Sequence, residues 1–179
     1  MMYRLFPYCL LLLCLPLLSA CNKWEDKPAE DLDLPNKYCN NPIAINYNVG
    51  FPGIEDNTVC IFPSDPYAGQ YTFQDSVYSE DEVAMPGATI NFQVNAVSQS
   101  GLAIRNFCGN GNELLFTADR YFRAASDSII GQGTQLMCRS ADTLSGTLEY
   151  RAYDSSLYID FKVVSDTGTS THKGRAYKK

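Results

Sequence analysis

Histidine is nearly missing from this chain. His172 is the only one among 179 residues, so any site built on two imidazoles of one chain is excluded. No Cys-x-x-Cys spacing occurs, which removes the common structural zinc frameworks. Basic residues are the scarcer charge, 14 against 20 acidic, for a net charge of -6. Nucleic acid is therefore excluded as a partner, because phosphate binding needs a basic face. A Gly-x-Ser-x-Gly elbow is lacking, and no amphipathic helix follows either glycine-rich run. Both the α/β-hydrolase nucleophile and the phosphate-binding loop lose their support. Long apolar runs are also lacking. The longest, residues 5–18, is short for a membrane-spanning helix and is broken by Pro7 and Pro16.

What is present begins with that apolar run. Residues 1–4 carry one positive charge at Arg4, residues 5–18 are leucine-rich, and Ser19 and Ala20 are small. This is the three-part layout of a secretory signal occupying residues 1–20. Leu18-Ser19-Ala20-Cys21 resembles the lipobox of bacterial lipoproteins. The resemblance implies cleavage before Cys21 and acylation of its thiol and amino group, which fixes the protein to a bilayer. Asn22-Lys23-Trp24-Glu25-Asp26 resembles the surface-export signal of some diderm bacterial lipoproteins. The expected address is the cell envelope, on the outer membrane, either as a surface-exposed protein or on a plain acidic tether. All 20 acidic residues lie after the signal and only Arg4 of the basic ones lies within it. The mature chain is thus more acidic than the whole.

Residues 21–38 hold few large apolar side chains, two prolines and mostly acidic charge. They read as a flexible tether. Four cysteines remain after the signal and the lipid site: Cys39, Cys60, Cys108 and Cys138. An even count in an exported chain predicts two disulfides. Three pairings exist, and the most local is Cys39–Cys60 with Cys108–Cys138. A metal site is the alternative, with His172 as the one imidazole available to it.

The stretch from Cys39 to Pro63 resembles a short module of secreted bacterial proteins, carried by Cys39, Pro42, Ala44, Asn46, Tyr47, Glu55, Asp56, Cys60 and Pro63. That resemblance implies a Cys39–Cys60 bridge. Here Asn57-Thr58 replaces the glycine of the module's turn. Glu55, Asp56, Asn46 and Asn48 are candidate calcium ligands, against the alternative of a stapled asparagine-rich turn. Pro63-Ser64-Asp65-Pro66 marks a boundary, so residues 39–66 form a small module and link.

Residues 67–179 alternate apolar and polar side chains with period two, the signature of half-buried strands. Strands are expected over 68–78, 90–96, 148–152 and 157–163. Less regular candidates cover 102–107, 114–119, 128–131, 134–139 and 169–177. Ser98 to Gly101, residues 154–156 and residues 166–168 read as tight turns. Short connections imply antiparallel pairing. The fold class is all-β, a small antiparallel meander barrel, with a β-sandwich as the alternative. Ala68-Gly69-Gln70-Tyr71-Thr72-Phe73-Gln74-Asp75-Ser76 resembles the first strand of small lipocalin-like bacterial lipoproteins. Segments 103–107, 116–119, 129–133 and 145–150 echo it. The resemblance implies that fold and an extracytoplasmic setting, and no particular ligand.

Candidates for chemistry are few. Asp75 lies in phase with Tyr71 and Phe73, so it points inward, either to orient a ligand or as a satisfied rim group. Glu80-Asp81-Glu82 reads as a solvated loop, or as half of a glycoside-cleaving carboxylate pair with Asp75. His172 reads as a surface or barrel-mouth residue rather than a catalytic one. Gly109-Asn110-Gly111 and Gly131-Gln132-Gly133 read as turns or bulges. The tyrosines invite sugar stacking, yet tyrosine is also a common strand residue. The sequence therefore points to a non-enzymatic envelope lipoprotein without cofactor or metal. Its barrel would bind a small apolar molecule or a protein partner. The alternatives are a structural or accessory lipoprotein with no ligand, and an envelope carboxylate hydrolase.

Overall fold

Period-two alternation fills one face of each strand with apolar side chains, and a sheet with one apolar face must cover it. Here the sheet does so by closing on itself. The computed structural model describes residues 36–108, 112–127, 135–138 and 141–179. Its strands are β1 (Lys37–Tyr38), β2 (Ile54–Glu55), β3 (Gly69–Ser79), β4 (Ala84–Met85), β5 (Thr89–Ala96) and β6 (Gly101–Arg105). They continue as β7 (Leu114–Ala118), β8 (Arg123–Ser126), β9 (Gln135–Leu136), β10 (Thr143–Arg151), β11 (Ser156–Ser165) and β12 (Gly168–Lys178). Eight of them pair antiparallel in the order β3, β5, β6, β7, β8, β10, β11, β12, and β12 returns to β3. The result is a closed meander barrel of the lipocalin-like kind. It is not a sandwich, because the first and last strands are hydrogen-bonded from Ser170↔Ser79 to Lys178↔Tyr71. Two short strands lie off the ring, β4 beside the end of β3 and β9 beside the start of β10.

Most strand expectations are met within a residue or two. The stretch 134–139 shrinks to β9, and the one at 148–152 lengthens into β10. β8 went unread because Arg-Ala-Ala-Ser carries little period-two signal. Only Ala124 is buried there, and the strand exists because β7 and β10 pair with it on either side. The strand candidate at 128–131 and the two glycine-rich runs lie outside the described residues. So do the export signal, Cys21 and the tether up to residue 35.

Aromatic rings bridge the lumen. Phe107 follows β6, and its ring centroid lies 6.2 Å from that of Phe73, 5.6 Å from Phe92 and 5.7 Å from Phe161. Phe161 continues the contact to Phe116 at 5.4 Å. Leu102, Leu114, Leu148 and Ile159 are fully buried around them. Offset or tilted rings at these distances add to the apolar burial itself. At the opposite end Tyr67 packs against Tyr150 at 5.7 Å, and the Tyr71 hydroxyl donates to the Tyr67 carbonyl. Two glycines let strands approach closely. A Cβ on Gly146 would lie 2.3 Å from the Asp160 carbonyl oxygen, and one on Gly174 would lie 2.1 Å from that of Gln74.

Both disulfides join the local partners, Cys39–Cys60 and Cys108–Cys138. The second lies at the end of the barrel where β3 and β6 finish and β10 starts. It ties the loop after β6 to the segment after β9. Its neighbours Phe107 and Met137 are both in the core, so the bridge pins two core side chains that no strand holds.

Residues 36–66 carry the parallel pair β1–β2. The amide of Asn46 donates to the Val59 carbonyl at 2.8 Å, and its oxygen accepts from the Ile61 N–H at 2.8 Å. Ser64 donates to the Ser98 carbonyl at 2.7 Å in the β5–β6 turn. Asn36–Lys179 cluster as one unit.

Candidate functional site

Antiparallel register brings two of the sequence candidates together across 97 residues. Asp75 lies on the lumen face of β3, opposite Gly174 of β12, and His172 lies opposite Val77. The His172 Nδ1 stands 2.8 Å from Asp75 Oδ2. Ser170 Oγ stands 3.1 Å from His172 Nε2. The Asp75 side chain is only 3% exposed, and its Oδ1 has no hydrogen-bond partner among the described residues. With Nδ1–H donating to the carboxylate, Nε2 accepts the Ser170 hydroxyl proton, and both ring nitrogens are matched. Ser170 escaped the sequence reading. The available signal was Ser-x-His in a strand candidate, since residues two apart share a face.

The order Asp, His, Ser is that of a nucleophilic relay. Acyl transfer also needs donors aimed at the oxyanion. Ser170 lies within β12, paired with Ser79 on one side and Val163 on the other. The backbone N–H groups around it belong to the sheet ladder. The array therefore orients an imidazole at one end of the lumen.

The acidic candidates stand apart from it. Glu80, Asp81 and Glu82 are exposed in the turn between β3 and β4, while Asp75 is spent on His172. Two of the four proposed calcium ligands are also engaged. Asp56 accepts from the Lys37 ammonium at 2.8 Å and from Thr58 N–H at 2.9 Å, and Asn46 is bound to backbone on both atoms. The Lys37 hydrogen bond, reinforced by Thr58, holds the Asp56 carboxyl well below the usual carboxylate range. Among the described residues no three His, Cys, Asp or Glu side chains converge on a metal position. Burial pushes the Tyr67 and Tyr71 hydroxyls well above the ordinary tyrosine range, which marks that end as dry packing.

A second feature lies on the outer wall. β11, β12 and β3 run 10 to 11 residues. Together with the β3–β4 turn they shape an open groove of about 600 Å³. Tyr78, Tyr158, Lys162, Thr171, Lys173 and Glu82 are among its lining residues. Lys162, Thr171 and Tyr78 stand side by side across the three strands, and Asp160, Lys173 and Ser76 form the next row. Lys173 pairs with Asp160 at 3.5 Å. The Arg151 guanidinium lies over the Tyr158 ring, 5.4 Å from its centroid. These groove residues occupy the polar phase of the alternation, and sequence reading assigns that phase to solvent.

The fold and its sites define a lipocalin-like barrel with an aromatic cluster in its lumen and a polar groove on its wall. No protein-family model matches the chain, and searches of curated proteins and of solved structures return no match.

Proposed function

We propose that this chain is a lipid-anchored protein of the cell envelope, non-enzymatic, that binds an envelope component on the outer wall of its barrel. The observation that carries the binding reading is the contrast between the two faces of β11, β12 and β3. Their inner face meets Phe107 and its ring partners. Their outer face carries the open groove. We therefore assign the ligand to the wall rather than to the lumen. Two disulfides agree with an oxidising compartment. The lipobox resemblance at Leu18 to Cys21 supports an anchor on the outer membrane. The buried Asp75–His172 pair, separate from the exposed Glu80 to Glu82 turn, supports leaving catalysis out.

Fractionation and retention test the two halves separately. A Cys21→Ala variant is expected in the soluble fraction, and its persistence in membranes overturns the anchor. Mature protein immobilised on beads is expected to retain envelope material from its own cell. A Lys162→Glu/Thr171→Arg variant is expected to lose most of that retention. Equal retention by both proteins overturns the groove as the binding seat. No retention by either favours the accessory reading.

A further inference from the structure

The groove has a recognisable chemistry, and it narrows the ligand class within the function just proposed. The hydroxyls of Ser76, Tyr78, Thr169 and Thr171 and the Lys162 ammonium line it. None of them is bonded to another described residue. An apolar ligand would bury these groups unpaired, at a cost for each one. A peptide adding as a strand is excluded as well, because β3, β11 and β12 are paired on both sides here. Charges of both signs line it, Glu80 and Glu82 beside Lys162 and Lys173, and Lys173 is already paired with Asp160. The lining therefore suits an uncharged ligand rich in hydrogen-bonding groups.

The two tyrosines set its shape. Tyr158 stands opposite Arg175 and Tyr78 opposite Thr171, so they lie on the two strands flanking β12. Thr171 and Arg175 are about 13 Å apart along the strand, and two strand spacings add about 10 Å across. Their backbone positions are thus roughly 16 Å apart. Arg151 backs the Tyr158 ring, and Tyr78 is 36% exposed. The negative face of an aromatic ring attracts the weakly positive C–H face of a pyranose. Ser76, Thr171 and the Lys173 ammonium, itself paired with Asp160, lie between the two tyrosine positions, and Lys162 stands beside Thr171 in the row of Tyr78, so the groove offers donors and acceptors for sugar hydroxyls.

We propose that the groove is a binding site for a neutral oligosaccharide of the envelope, with one sugar ring on Tyr158 and another on Tyr78. This rests on the wall groove being the binding seat. The full mature protein in detergent is titrated calorimetrically with chitotetraose, cellotetraose and mannotetraose. At least one is expected to bind saturably, with Tyr78→Ala and Tyr158→Ala each weakening it by about tenfold. Tyr78→Phe is expected to keep most of the affinity, because the ring does the work. Matching near-ultraviolet circular dichroism shows that the variants are folded. Absence of saturable binding to all three sugars, or binding that both alanine variants leave unchanged, overturns the proposal. A parallel retention assay uses envelope treated with periodate or with protease. Loss after periodate supports a glycan. Loss only after protease overturns the glycan while the groove reading survives, and retention indifferent to the groove variants sinks both.

Discussion

Residues 39–66 bury only Cys39 and Ala44 of their hydrophobic side chains and leave Ile43, Val49, Phe51, Ile54 and Ile61 exposed. The barrel buries a continuous core from Tyr67 to Ala176. One region is held by covalent and polar ties, the other by apolar packing. The short segment encloses too little volume for a core of its own, so a disulfide, the two-sided Asn46 amide and a Lys37–Asp56 clasp take over. The barrel has enough alternating strand to seal its own core. It needs the Cys108–Cys138 bridge only where a loop, rather than a strand, delivers Phe107.

The sharpest way to break this contrast is Phe107→Ala. It removes the ring that joins three strands across the lumen and should cost about 3–5 kcal/mol, read as a lower denaturant midpoint of the barrel. A drop under about 1 kcal/mol would mean that the lumen is not closed by packing. Next in size, Cys39→Ser with Cys60→Ser should cost roughly 2–4 kcal/mol. That loss should stay in residues 36–66, with hydrogen exchange in β10 to β12 unchanged. Exchange rising equally in both regions would show that they share one cooperative unit.

Asn46→Ala should come third, at about 1 kcal/mol, because it removes both hydrogen bonds of the amide, one of them at a solvent-exposed N–H. Asn46→Asp restores only the acceptor and should recover part of the loss. The smallest effect is acid sensitivity at the Lys37–Asp56 clasp. The folded Asp56 carboxyl lies below its ordinary value of 3.8, so the unfolded chain takes up its proton first. The stabilisation is complete above that value and fades as pH falls through it toward the folded value. Protection of the amides near β1, measured against their intrinsic exchange rate at each pH, should therefore fall below pH 3.8. In Lys37→Met the acid dependence should shrink. An unchanged profile in that variant would remove the clasp from the account.

Much of the barrel was legible because period two is a local property. Tyr71, Phe73 and Asp75 declared their shared face from spacing alone, and the turns at 98–101, 154–156 and 166–168 declared themselves by composition. β8 was not legible, since Arg-Ala-Ala-Ser becomes a strand only through its neighbours. The polar site was half legible. Asp75 was expected inward, but its partner His172 lies 97 residues away, and only antiparallel register joins them. The groove was the least legible, because an outward tyrosine on a strand looks like any solvated position until three strands are aligned.

Sequence alone determined the all-β class, pointed to an antiparallel meander and to the most local of three cysteine pairings, and set the expectation of an export signal with Cys21. All of these depend on residues close together in the chain. Only the tertiary structure decided that β12 closes on β3, that Phe107 enters the lumen, and that Tyr158 and Tyr78 face one groove. Those outcomes depend on register between distant strands, and register is set by the summed packing of the closed barrel rather than by any one segment.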